Sequence, residues 1–587
     1  MKAGCLKLLL ATKHLLMKHR VALLLLLAYI VLAMIFWFPL SIHLGSRVVD
    51  HPMGDDAFNI WILGWGNRAL THFPWRFFEA PMFYPYPHVL AWGDNLFAVT
   101  LVTLPLVPIF GLLATYNLVL LGSTALCGFS LYLLVNYLTR NKAAAFLAGA
   151  LWVISYARTA QGYIQIITLW WLPLIFLFAE KLRHGGRKRY FVLLTAALFL
   201  QMTTGIYVAL YTVLTFGAYV LMLALFRQLS KRVFLRYVKA LLIAGVLAAP
   251  VFAPSIILDY LHPTVRGLSQ QVGLQWQDIN PLRIPGRLWY DIAAHFGWTS
   301  TQPVAQFSIG LVLSGLVIAG IVYFAWRLWR KSVSKKELVL PATFLLIGVY
   351  GILAAFGPYI GTSPGKRIDN LAFLIPYRLV PGFKVMRLTL RWQFIGMFGL
   401  SAFAGYVLAR IFTKWKLWMQ IGFVIIAIGW LVIEQVAWNQ VGLYPAPTLK
   451  QYPVYGWIKQ QPGNFAIAEL PIFDGVYYPP NDAIEGRRTY LQTLYWHPRA
   501  SGAFSPFIPA GYPARAGLID SLGDNNQAIA YLRKYNIKYV LVLPDDYATL
   551  GWGANGGAIE EKKLNGLPYL KKVFSSPNGV AYEVLPD

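Results

Sequence analysis

Along the first three-quarters of the chain, polar positions gather in short clusters, and the stretches between them are apolar for up to about twenty residues. Runs of that length predict membrane-spanning helices. They lie at roughly 21–43, 118–138, 143–157, 168–180, 190–204, 206–226, 241–262, 309–326, 338–357, 393–412 and 418–437. Several fall short of a bilayer's thickness, so their ends must extend into the adjoining loops or the bilayer must thin around them. A further apolar stretch, 96–113, is interrupted by Pro105 and Pro108. From about 438 the long runs stop, and Pro, Gly, Asn and Asp become frequent. There NFAIAELPI (464–472) and KYVLVLPDD (538–546) read as short buried strands. NNQAIAYLRKYN (525–536) reads as a helix, with Asp524 or Asn525 as its N-cap. The pattern predicts a polytopic α-helical membrane domain over 1–437, with its first outer loop at 44–117, and a small α/β domain over 438–587.

The positions of the charges orient these runs. Lys2, Lys7, Lys13, Lys18 and Arg20 precede the first one. Later clusters are Arg140 with Lys142, then Lys181, Arg183, Arg187, Lys188 and Arg189, then Arg227, Lys231, Arg232, Arg236 and Lys239. Arg327, Arg330, Lys331, Lys335 and Lys336 follow, and Lys414 with Lys416 close the series. Few acids accompany them, so the positive-inside rule places all these loops in the cytoplasm. If 96–113 crossed the membrane, the clusters at 140–142 and 181–189 would fall outside. It therefore reads as a juxtamembrane or re-entrant piece of the first outer loop. Eleven spans result, with the N-terminus cytoplasmic and the tail outside the plasma membrane. The first run, Val21 to Leu40, is longer than a signal-peptide core and no A-x-A site follows, so it reads as an uncleaved anchor.

Composition agrees. Of the 587 residues 57% are hydrophobic and 13% charged, against about 25% charged in soluble domains. The formal net charge of +27 invites a nucleic-acid reading. The excess sits in the short cytoplasmic loops, however, with no aromatic reading surface beside it, so it is a topology signal and nucleic acid is excluded as a partner. Of the two cysteines, Cys5 falls in the cytoplasm and Cys127 inside a span. Neither a disulfide framework nor a thiolate metal site is expected.

The predicted outer loops carry nearly every acid of the membrane half, including Asp50, Asp55, Asp56, Glu79 and Asp94 in the first. Two stretches there, GDDAFNIWILGWGNRAL (54–70) and FYPYPHVLAWGDNLFA (83–98), resemble a family of polytopic bacterial membrane proteins. That family has the architecture of the GT-C glycosyltransferases, which use lipid-phosphate-linked sugars. RTAQGYIQIITLWWLPL (158–174), FGPYIG (356–361) and IPYRLVPGFKVMRLTLRW (375–392) extend the resemblance, as do YPVYGWIKQQPGNFAIAELP and YLQTLYWHPRASGAFSPF in the tail. The resemblance covers most of the chain and is more specific for architecture than for substrate. It implies a catalytic acid in the first outer loop, a position that Asp55 and Asp56 match. The family's usual Asp-Glu form is Asp-Asp here, which leaves open which carboxylate acts.

Each candidate has a chemical and a structural reading. A carboxylate at Asp55 or Asp56 can take the proton of an acceptor hydroxyl as it attacks a sugar carbon. Either can equally favour the N-terminus of the following helix. Asp94 is a second acid, a metal ligand or a cap. The carboxylates alone are compatible with Mg²⁺ or Mn²⁺, although no His pair or Cys pair has ligand spacing. Arg158, Arg378, Arg387 and Arg391 are outward cations that oppose the insertion bias. A donor phosphate would compensate them, as would lipid headgroups or Asp369. Tyr163 and Gln165 are candidates to line a donor or acceptor pocket. His295 and His497 read as structural or solvated.

The expected activity is transfer of a sugar from a polyprenyl-phosphate-linked donor to an extracytoplasmic glycan, lipid or protein, by inversion. The alternatives are a lipid-linked glycan transporter or flippase, which would want ionisable groups inside the spans, and a non-catalytic cell-envelope assembly protein. The topology is directly testable. Membrane-impermeant thiol probes added outside should label cysteines placed near positions 280, 365 and 500, and should miss 185, 232 and 334. Labelling of the 185 loop from outside would overturn the eleven-span arrangement.

Overall fold

The structure, a computed structural model, describes residues 20–49, 54–155, 158, 163–261, 309–363, 366–386, 388–435, 442–473, 481–502, 509, 511–551 and 555–586. The apolar runs are helices. Among the described residues eight helices are long and apolar enough to cross a membrane, and Arg20–Phe36 and Lys142–Val153 are shorter apolar helices. The stretch 96–113 is broken into Phe97–Thr103 and Val107–Phe110, neither of spanning length. The chain divides into two units. The first holds 1–42, 118–248 and 265–441; the second holds 43–117, 249–264 and 442–587. The first outer loop thus belongs to the same unit as the tail.

The first unit is a helical bundle whose helix ends follow local rules. Asn141 caps Lys142–Val153 by accepting from the Ala144 N–H, and Ser334 caps Lys335–Ala355 by accepting from the Glu337 N–H. Trp171–Gly185 ends at Gly186, in the left-handed region at φ 61°, a conformation that costs glycine little. The tightest packing joins Lys335–Ala355 to Gln393–Ile411. A Cβ on Gly399 would fall on the backbone nitrogen of Gly348, and one on Gly351 on that of Gly396. Four glycines, two on each helix, let the backbones touch. In lipid, where apolar burial drives little association, such contact is what holds helices together. The buried Glu180 is satisfied locally: it pairs with Arg183 at 2.7 Å and accepts from the Tyr219 hydroxyl at 2.5 Å.

The second unit is built on a four-stranded sheet in the order Ala466–Leu470, Ile537–Val542, Gly579–Val584, Leu570–Ser576. The first pair is parallel and the other two are antiparallel. The strands Ala466–Leu470 and Ile537–Val542 are buried along almost their whole length, as their largely apolar composition requires. Asn525 caps Asn526–Lys534 by accepting from the Gln527 N–H. The segment 358–392 holds several short elements among its described residues. It forms a hairpin of Tyr359–Ser363 with Lys366–Asp369, the helix Leu371–Leu379, and two single turns.

The glycine contact yields a test. Gly399→Ala should destabilise the protein by about 1–3 kcal/mol through overpacking. Gly422, on the span Leu417–Gln435, has nothing within 4 Å of its missing Cβ. Gly422→Ala should be neutral or add about 0.5–1 kcal/mol from helix propensity. Thermal unfolding in detergent reads both, and equal midpoints for the two variants would refute the close contact.

Candidate functional site

Asp55 and Asp56 open the helix Asp55–His72, whose N-cap is Gly54. Carboxylates in the first turn face the positive end of the helix dipole, so the structural reading holds for both. Their environments nonetheless differ. Asp56 is 3% exposed and accepts a short hydrogen bond from the Tyr116 hydroxyl. Asp55 is partly exposed, and its backbone carbonyl accepts from Asn59 Nδ2 at 2.7 Å. Adjacent residues on a helix point about 100° apart, which is how one acid is anchored inside while its neighbour meets the surface.

The tail holds this helix in place. Trp61 Nε1 donates to Gln492 Oε1 at 2.8 Å, and a Cβ on Gly64 would meet the Trp496 ring at 3.0 Å. The helix Asn481–Gln492 therefore runs beside Asp55–His72 in the same direction, with the two N-termini together. Asp482, in the first turn of the second helix, faces Asp55. Its carboxyl is pushed above the usual range, first by burial and then by the Asp55 charge. Arg488 and Arg499 lock Asn481–Gln492 to the sheet. Arg499 binds Glu469 at 2.7 Å and also Glu485, with all three side chains nearly or fully buried. Arg488 binds Glu485 at 3.1 Å and Asp546 at 2.7 Å. Burial alone would raise the Glu469 carboxyl; Arg499, Arg488 and hydrogen bonds from Tyr455 and Ser501 hold it below its usual range.

The cationic candidates of the first unit separate by burial. Arg378 is exposed, in the last turn of Leu371–Leu379, where a cation complements the helix dipole. Arg391 is 6% exposed, and its guanidinium lies 5.6 Å from the Tyr163 ring centroid and 5.5 Å from that of Tyr207. Arg158 is fully buried. It donates to the Ile167 carbonyl at 3.4 Å and lies 5.6 Å from the Trp152 ring. The short helix Ile164–Ile167, preceded by Tyr163, thus links the two: Arg391 meets its start and Arg158 its end. Gln165 lies on it, 8% exposed. Among the described residues, Arg158 Nε and Nη2 and Gln165 Oε1 have no hydrogen-bond partner, nor does either amide atom of the fully buried Gln393.

Asp94 is partly buried, and its neighbour Asn95 accepts from the Phe97 N–H at 3.2 Å at the start of the next helix. His497 is structural: its ring stacks on Phe465 at 4.0 Å, and burial pushes its pKa below the usual value. Arg387 and His295 lie outside the described residues. Among those described, no three His, Cys, Asp or Glu side chains come together as a metal-ligand set. Sequence reasoning missed Tyr116, Trp61, Asp482, Gln492, Tyr207 and Gln393. Trp61 and Gln492 lie in motif stretches, but their partners, like those of Tyr116, Tyr207 and Asp482, come from distant parts of the chain.

The raised Asp482 carboxyl, shifted first by burial and then by the Asp55 charge, predicts a pH dependence. A carboxyl whose pKa is raised in the folded chain contributes stability in acid that is lost as pH rises through the raised value. Asp482→Asn removes that loss. The difference in melting temperature, variant minus wild type, should therefore grow as pH rises from acid toward neutral. A constant difference would mean that the Asp482 carboxyl is not held above its usual range in the folded chain.

No family model and no curated protein matches the chain. Solved structures do. The cryo-EM structure of the arabinofuranosyltransferase AftD from mycobacteria matches with a TM-score of 0.53 at 14% identity, over 97% of this chain and 42% of that one. A second class of the same enzyme gives a TM-score of 0.47 at 14% identity over 96% and 41%. The crystal structure of ArnT from Cupriavidus metallidurans bound to undecaprenyl phosphate gives 0.37 at 14% identity over 95% and 97%. The chain spans about two-fifths of AftD's length, and of these three scores only the first speaks to fold. On that score, the chain shares a fold with the part of AftD that it matches.

Proposed function

We propose that this protein is a membrane glycosyltransferase that moves a sugar from a polyprenyl-phosphate-linked donor to an extracytoplasmic glycan, lipid or protein. Its eleven spans would leave the N-terminus in the cytoplasm and the tail outside. The observation that carries the reading is Arg158. A guanidinium taken wholly out of water loses several kcal/mol of solvation unless an anion compensates it. Among the described residues Arg158 meets the Ile167 carbonyl at long range, the Trp152 ring and the Cys127 thiol. A lipid phosphate supplies the missing charge and accepts two parallel N–H bonds from the fork. Arg391, between its two tyrosines, is a second phosphate ligand in this reading. Arg387 remains a candidate from sequence, and Arg378, exposed, is the weakest of the four.

The chemistry needs one base. The acceptor oxygen attacks the anomeric carbon, the carbon–oxygen bond to phosphate breaks, and the electron pair leaves on the phosphate. The acceptor proton goes to a carboxylate. Asp55 takes that role because it is partly exposed, while Asp56, pinned by Tyr116, positions the helix start. A single in-line displacement inverts the sugar carbon. The leaving phosphate is already a stabilised anion, so no strong general acid is required, and cationic ligands stabilise the developing charge. No step here draws on a metal ion.

Purified protein given a polyprenyl-phosphate sugar and assayed for release of the lipid phosphate tests this. Asp55→Asn should lower turnover roughly 10²-fold or more with expression intact. Arg158→Gln and Arg391→Gln should raise the donor KM by about tenfold or more, the effect of losing a hydrogen bond to a charged group, and Arg→Lys should restore it only in part. Unchanged turnover in Asp55→Asn would remove Asp55 as the base, and an unchanged donor KM in both arginine variants would remove the phosphate reading.

A further inference from the structure

Arg515 has a setting that the transfer reaction, as written above, does not use. It lies near the start of the helix Tyr512–Asp520, with its guanidinium 4.2 Å over the ring of Tyr86 from the first outer loop. Both residues belong to the second unit. Arg515 also hydrogen-bonds the side chain of Tyr531, on the helix Asn526–Lys534. The Tyr531 and Tyr535 rings stand 4.8 Å apart, and Tyr535 acts electrostatically on Tyr86. Three segments distant along the chain thus bring an arginine and three tyrosines together, and all four residues are partly exposed. The platform is fixed from behind. The Tyr84 N–H donates to the Arg499 carbonyl at 2.9 Å. The buried Tyr512 packs on Phe83 with ring centroids 4.8 Å apart and donates to the Phe473 carbonyl at 3.0 Å. Among the described residues no carboxylate forms an ion pair with Arg515. Other cations of the tail have one: Lys538 pairs with Glu583 at 3.5 Å, Lys563 with Asp524 at 2.7 Å and Lys572 with Glu561 at 3.1 Å. Burial pushes the Tyr531 hydroxyl up to about 12, so it stays neutral and able to donate near neutral pH.

We infer that this platform binds a sugar residue carrying a carboxylate or phosphate, with the anion on Arg515 and the C–H face of the ring against the tyrosines. A guanidinium lying over a ring still presents N–H donors at its edge, in the fork that matches carboxylate and phosphate. Sugar C–H bonds meet the negative face of an aromatic ring, and tyrosine adds a hydroxyl for the sugar's own. A protein partner would want an apolar centre to its contact. Among the described residues of the tail, Ile559 is the one large aliphatic side chain that is exposed. In the topology proposed above the tail faces the acceptor's side of the membrane, so an acidic glycan is the acceptor class that this platform would select. That role rests on the transferase reading; the binding itself does not.

The test uses the full-length protein in detergent with methyl glucuronide, methyl galacturonide and mannose 6-phosphate. Each is set beside its neutral counterpart, the methyl ester for the uronides and mannose for the phosphate. Saturation-transfer-difference NMR titrations give the Kd and show which ligand protons touch the protein. At least one acidic sugar should bind with saturation on its ring C–H protons, and its neutral counterpart should bind about tenfold more weakly, the scale of a lost hydrogen bond to a charged group. Arg515→Gln should abolish that difference, and Arg515→Lys should restore part of it. Tyr86→Ala should weaken the acidic sugar about fivefold, the scale of a lost aromatic contact, and Tyr86→Phe should retain it. A melting temperature close to wild type shows that each variant is folded. No saturation of any acidic sugar, equal Kd for acid and neutral counterpart, or a difference that persists in Arg515→Gln would each overturn the inference. Tri-aspartate binding through Arg515 more tightly than every acidic sugar would overturn it too, in favour of a protein partner. Binding is read here without turnover. A protein that holds an acidic sugar in this way yet turns over no sugar lipid would sink the transferase reading and leave the platform assignment standing.

Discussion

The Asp55–His72 helix depends on ions buried out of water. Arg499 and Arg488, fully buried, hold Glu469, Glu485 and Asp546. Those contacts fix the helix Asn481–Gln492 against the sheet. From its end, Gln492 accepts from Trp61 and donates to the carbonyls of Pro81 and His497. Removing one partner of such a network strands a charge in the interior, at about 3–5 kcal/mol. Apolar packing of similar volume would stabilise as well or better. The ions add direction: guanidinium forks meet carboxylates in few orientations, so the helix has one seat, and its Gln492 has one place from which to reach Trp61.

That placement explains why two adjacent aspartates differ. With Trp61 fixed, the first turn of Asp55–His72 has a set rotation. Asp56 turns inward to Tyr116, and Asp55 stays at the surface opposite Asp482. The same rotation brings the Phe58 and Trp61 rings alongside one another, with centroids 6.1 Å apart. One hydrogen bond from the tail thereby settles which acid is accessible and what lies beside it.

The bundle obeys a different constraint. Its helices cannot rely on water to drive them together, so contact between glycines does more than hydrophobic surface. Buried polar groups must find partners inside. Glu180 does so among Arg183, Tyr219 and His184. Arg158 and Gln393 keep atoms without protein partners among the described residues.

Much of this was legible in the amino-acid order, and for local reasons. Helices form where twenty apolar side chains follow one another, because lipid offers no partner for an open backbone. The breaks at Pro105 and Pro108 stop 96–113 from spanning, the largely apolar runs at 466–470 and 537–542 make buried strands, and Asn525 caps the helix it precedes. The pair Asp55–Asp56 and the buried Arg158 and Arg391 stood out as charges in places that disfavour charge. The order of residues could not say which aspartate is anchored, that Arg158 and Arg391 meet the two ends of one short helix, or that the first outer loop shares a unit with the tail. Those facts depend on Tyr116, Tyr207, Asp482 and Gln492, which are ordinary residues where they stand and acquire their roles only when distant segments pack. Sequence determined the elements through backbone hydrogen bonding and hydrophobicity, which act over a few turns. The tertiary structure decided the site, because a carboxylate or guanidinium takes its chemical character from neighbours that the chain brings from hundreds of residues away.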